Sequence, residues 1–274
     1  PLSEPTSGLS AMAQRFFNAW SIGRRTLHEH LRRSLENRLE WERSEGALST
    51  EEASRALTEI IRPSSPDDDS TLGPRYHFGT MDEQYELLTQ VVGRACRERC
   101  GLVWLDDVQW GREAIEWTQF VLESGARLPA LFVLTFRTGE VDPRVSDSYV
   151  ALEELSEVGD VEILDVERLE PSDHRELLGN LLPLETTLVD ELHEQTFGNP
   201  LFAVQLLESW VERELLVPGD DGFSLREEAA LELPRTIEDV WDLRIEDLVA
   251  NYGEDANVVE RGLEVAAMLG RTVD

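Results

Sequence analysis

The segment that most constrains this chain is Gly101 to Gly111, GLVWLDDVQWG. An apolar run, Leu102 to Leu105, ends on two acids, Asp106 and Asp107. A short unbroken apolar run between polar, helix-like stretches predicts a strand buried on both faces of a parallel sheet. In such sheets ligands collect outside the carboxyl ends of the strands. Carboxylates at that edge are hard oxygen donors, suited to a Mg²⁺ that also touches substrate phosphates. A plain alternative stands beside this one: a buried strand stopped by an Asp-Asp turn.

Flanking patterns place the strand in an α/β chain. Met81 to Arg99 reads as a helix, with Tyr85, Leu88, Val92 and Cys96 spaced three and four apart. Arg112 to Ser124 reads as a second, with Ala114, Trp117 and Val121 on one face. Leu131 to Phe136, LFVLTF, predicts another buried strand, and Val161 to Val166, VEILDV, a third with edge-like alternation. Helix-then-strand order is what a βαβ layered fold requires.

LVWLDDVQWG resembles the Walker B segment of STAND-type signalling ATPases, with Gln109 and Trp110 giving the likeness its specificity. Gly111 and Arg112 depart from it, standing where that family usually has a further acid. Three further stretches follow in family order. Thr135-Phe136-Arg137 is similar to the sensor triplet at the end of the next strand. TFGNPLFAVQLL, Thr196 to Leu207, is similar to the lid signature, and LPRTIEDVWDLRIEDL from Leu233 to the segment before the winged-helix domain. GLEVAAMLGR, Gly262 to Arg271, resembles the opening of that domain.

The resemblance implies a partial P-loop NTPase parallel sheet with flanking helices over 1–168, a helical lid over 169–235, and the start of a winged-helix domain over 236–274. It implies ATP and Mg²⁺ as cofactors. Asp106 would hold the metal and Asp107 would polarise the attacking water. Arg137 would sense phosphate through its guanidinium fork, and Pro200 would line the adenine pocket. The plain alternative for Arg137 is a residue that simply caps the strand end. The implied protein is a nucleotide-driven switch in a large cytoplasmic bacterial signal-transduction or transcription regulator, one type of which carries a Ser/Thr kinase domain. Its partners would be ATP/ADP, its own effector domain and helical repeats, and other proteins. The alternative is an NTPase-like scaffold that no longer hydrolyses.

Composition sets limits on these readings. At 274 residues and 41% hydrophobic, the chain has material for a core. A net charge of −31 argues against gripping a nucleic-acid backbone or an anionic membrane. No apolar run approaches the ~20 residues of a membrane span. All 25 basic residues are Arg, so the Lys of a GK[ST] phosphate loop is absent. With Pro1 leading and a helical pattern running into Asp274, the sequence reads as an excerpt, with the phosphate loop and its strand expected upstream. A sheet without that central strand leaves backbone groups unpaired, so this segment alone is expected neither to fold stably nor to bind ATP tightly.

Minor features carry less. Phe16, Phe17 and Trp20, then Leu27, Leu31 and Leu35, predict an amphipathic helical start, with Arg24, Arg25, Arg32 and Arg33 on a solvated face. Ser49 or Thr50 caps a following helix. His28 and His30, two apart, point to different sides of a helix. Pro63 to Pro74 reads as a loop, and its three aspartates lack the spacing of a calcium loop. Cys96 and Cys100 are too few for structural zinc and read as reduced thiols. Ser172 is expected to cap the helix after VEILDV. Gly198 and Asn199 are expected to end one helix and Pro200 to start the next, with Leu201, Val204 and Leu207 facing the core.

Overall fold

The structure is a computed structural model of the whole chain. It describes residues 8–20, 22–41, 48–64, 75–125, 128–138, 146–219, 221–226, 234, 236–250, 252 and 256–269. Most of the expected 63–74 loop, together with Leu233, Gly270 and Arg271, lies outside the described residues. The chain divides into two compact units, Pro1–Ile163 and Leu164–Asp274, each with its own apolar core.

The first unit opens with three helices, α1 (Leu9–Phe16), α2 (Arg24–Asn37) and α3 (Thr50–Ile61). Leu27, Leu31 and Leu35 bury one stripe of α2 against α3, as their spacing predicts. Arg24 pairs with Glu59 across that seam. Ser49 caps α3 in a full capping box: its hydroxyl accepts from Glu52 N while Glu52 reaches back to Ser49 N at 2.9 Å. Phe17 is buried, whereas Trp20 stays exposed, because the helix has already ended at Phe16.

Next come α4 (Met81–Ala95), β1 (Gly101–Leu105), a short 3₁₀ turn (Val108–Trp110), α5 (Arg112–Glu123), β2 (Ala130–Leu134) and α6 (Asp147–Ser156). Strands β1 and β2 pair in parallel, Leu105 opposite Leu134. Trp117 of α5 meets Phe132 edge-on at 5.4 Å and donates its indole N–H to Thr89 of α4 at 3.1 Å. One face of the pair is therefore sealed by helices.

The other face is open, and here the expectation of strands buried on both sides fails. Leu102 (66% exposed), Trp104 (61%), Leu131 (61%) and Val133 (39%) project from it, while Val103 and Leu105 are buried. Among the described residues this sheet has two strands only. The expected third strand, VEILDV, does not form: it is irregular chain without a ladder partner, and Ile163, Leu164 and Val166 are exposed. A strand needs a neighbour to pair its backbone, and alternation alone supplies none.

The second unit packs α7 (Pro171–Leu181), α8 (Thr186–Thr196) and α9 (Pro200–Glu212), a hairpin of β3 (Leu216–Pro218) and β4 (Phe223–Leu225), then α10 (Ile237–Ala250) and α11 (Ala256–Leu269). Glu170, not Ser172, is the cap position of α7, with Pro171 first inside the helix. Phe202, Ala203, Leu206, Leu207 and Trp210 form the buried stripe of α9. Leu201 is exposed, since the stripe lies one residue further round than expected. Arg244 of α10 pairs with Glu208 of α9 at 3.1 Å, within the same unit. No helix among the described residues is long and apolar enough to cross a membrane.

Candidate functional site

The carboxyl ends of β1 and β2 converge on one polar network. Thr135 continues the ladder past β2, donating its N–H to Leu105 O at 3.0 Å. Asp106 follows β1 directly. Asp107 then takes a left-handed conformation, φ 54° and ψ 46°, which Asp tolerates better than most side chains. That turn reverses the chain, so that Val108 N donates to Thr135 O at 2.9 Å. Two backbone bonds thus hold the acids at the mouth of the strand pair.

Thr135 joins the two acids. Its hydroxyl donates to Asp106 Oδ1 at 2.6 Å and accepts from Asp107 N at 2.8 Å. Asp107 Oδ1 accepts from Gln109 Nε2 at 3.2 Å and faces Arg137 Nε at 3.1 Å. Gln109 is buried and also receives Arg137 N at 3.3 Å on its own Oε1. The guanidinium and the amide offset the repulsion between neighbouring carboxylates.

The structure therefore brings Asp106, Asp107 and Arg137 together. Sequence reasoning used Gln109 only as a family marker and did not assign Thr135 a role. A polar side chain at a strand end, two residues before an Arg, was the available signal for Thr135. A Gln flanked by Val and Trp was the signal for Gln109.

Chemically, the network offers one carboxylate committed to an Arg and one that, among the described residues, is anchored by a hydroxyl. Asp106 is exposed, Asp107 partly covered. That donor set fits a Mg²⁺, which takes one or two carboxylates and keeps several waters. No group of three or more His, Cys, Asp or Glu suited to an all-protein metal cage occurs among the described residues. In the first turn of α5, Glu113 has its pKa raised from the ordinary value, chiefly by burial and further by the Glu116 charge.

Pro200 belongs to the second unit, as the first residue of α9, and is exposed. The turn before it differs from expectation at Asn199. Phe197 (φ 52°) and Gly198 (φ 71°) take the left-handed conformations that end α8. Asn199 instead starts α9, its Oδ1 accepting from Leu201 N at 3.0 Å and Phe202 N at 3.2 Å. Gly198 O receives Leu169 N at 3.0 Å, and Arg168 lies over the Phe197 ring at 5.8 Å. This turn is tied to the chain entering α7.

Comparison with family models, curated proteins and solved structures finds no match to this chain.

Proposed function

We propose that this chain is the nucleotide-binding and ATP-hydrolysing switch region of a large bacterial signal-transduction or transcription regulator, one type of which is fused to a Ser/Thr protein kinase. The observation that carries the reading is the pair Asp106–Asp107 at the carboxyl ends of two adjacent parallel strands, bridged by Thr135 and faced by Arg137. Asp106 would hold Mg²⁺, which supplies charge neutralisation to the triphosphate. Asp107, oriented by Gln109 and Arg137, would position and polarise the attacking water. Phosphoryl transfer needs mainly placement and electrostatics, so a few such groups suffice. Arg137 is poised to exchange its Asp107 partner for a phosphate oxygen, which would couple nucleotide state to the loop after β2. Pro200 would line the adenine pocket, and the second unit would act as the lid. ATP and ADP, the effector domain, helical repeats and other cytoplasmic proteins would be its partners.

The test is equilibrium ATP binding to the intact regulator with and without Mg²⁺. Asp106→Ala should weaken Mg²⁺-dependent binding by about tenfold or more while the fold is kept, as one lost charge-assisted contact implies. Equal binding by the variant would remove Asp106 from the site.

A second reading is a non-catalytic scaffold for protein–protein interaction. The open face of Leu102, Trp104, Leu131 and Val133 favours it, because a contiguous exposed apolar patch marks an interaction surface. Failure of the intact regulator to bind any nucleotide would favour the scaffold.

A further inference from the structure

Helices α7 and α8 meet on an ionisable pair that the nucleotide reading does not use. His174 of α7 is fully buried, and His193 of α8 is partly buried. Their Nδ1 atoms are 3.0 Å apart, with ring centroids at 5.0 Å. A contact between two imidazole nitrogens at that distance needs one proton between them. One Nδ1–H donates and the other Nδ1 accepts. Two protons would set two donors head to head, and none would oppose two lone pairs. A second observation sharpens this: His174 Nε2 is buried without a hydrogen-bond partner. An imidazolium at 174 could still donate its Nδ1–H to His193 Nδ1, but it would carry a charge and an Nε2–H with no acceptor into a buried space.

Among the described residues, the charged groups nearest the pair are engaged elsewhere or face solvent. On α8, Asp190 is engaged by Arg175 of α7 at 2.8 Å. Helix α9 contributes Phe202, Ala203 and Leu206 to this core, while its Glu208 and Glu212 face Arg244 of α10. On α7 itself, Asp173 and Glu176 are exposed, as are Glu191 and Glu194 on α8.

We propose that the His174–His193 contact is a proton-operated latch between α7 and α8, closed at neutral pH and opened by mild acid. Burial, and secondarily the His193 charge, lowers the pKa of His174 from its ordinary 6.5. The unfolded or opened chain therefore binds a proton before the closed one does. Stability from the latch is present above about pH 6.5 and drains as pH falls from there through the lower closed-state value. Opening would be felt at the α8–α9 turn, since Leu169, at the entry to α7, is bonded to Gly198. The latch operates whether or not nucleotide binds.

The test is hydrogen exchange of the whole chain between pH 7.5 and 5.5, resolved by peptide and corrected for the intrinsic pH dependence of exchange. Protection in α7 and α8 should fall by up to about tenfold per pH unit for each proton taken up, and His174→Phe should remove that slope. An undiminished slope in the variant, or flat protection in the wild type, overturns the proposal. Should His174→Phe fail to fold, imidazole NMR of the wild type decides. Titration of His174 below its ordinary 6.5 supports the latch; titration of His174 at or above that value overturns it.

Discussion

Thr135 is a single hydroxyl on which the arrangement of both acids depends. It satisfies Asp107 N from one side and Asp106 Oδ1 from the other. Thr135→Val keeps the shape and leaves the part-buried Asp107 N without its acceptor while exposed Asp106 turns to water, so it should cost about 1 kcal/mol, read from denaturant unfolding of the whole chain. Glu113 gives a pH-dependent counterpart. Its raised pKa means that the folded state holds its proton more tightly than the unfolded chain does. The stabilisation from this group is full below its ordinary value of 4.5 and is lost as pH rises through the higher folded value. At pH 7 the ionised carboxylate is therefore a burden. Glu113→Gln should raise the Tm at pH 7, and the gain should vanish below pH 4; a variant less stable at pH 7 would contradict the sign.

At the scale of elements, the α8–α9 turn shows how specific residue types fix a junction. A Cβ at Gly198 would meet Leu169 O at 2.5 Å, at a φ of +71° that L side chains rarely adopt. Gly198→Ala should cost about 1–3 kcal/mol, and Asn199→Ala, losing only the cap, about 1 kcal/mol. Thermal unfolding of the second unit ranks the two; a neutral Gly198→Ala would show that the turn tolerates another path. The position of this junction was legible from Gly-Asn-Pro, but its division of labour was not. Asn serves both caps, and only the side-chain bond to Leu201 and Phe202 N distinguishes them. The same limit explains VEILDV and the open face of β1. Periodicity reports which residues share a side, and pairing or burial depends on what the rest of the fold places there. The hairpin of β3 and β4 was missed for a related reason: its strands are three residues each, too short for alternation to register. The network at Asp106 was legible in its acids and Arg, which carry charge at a strand end. Thr135 and Gln109 emerged only once two strands were side by side.

Across the whole molecule, the two units hold separate cores with no residue in common. Leu31→Ala in the first and Leu206→Ala in the second should each cost about 2–5 kcal/mol. Hydrogen exchange should show each loss confined to its own unit, and the double variant should be additive within about 0.5 kcal/mol. A larger coupling would mean that the cores communicate. The central claim remains chemical: the acids at the mouth of β1 act on a bound triphosphate. Steady-state Mg²⁺-dependent ATP turnover by the intact protein, wild type beside Asp107→Asn, tests it most directly. The account predicts retained ATP binding with turnover reduced by about a hundredfold or more; unchanged turnover would contradict it.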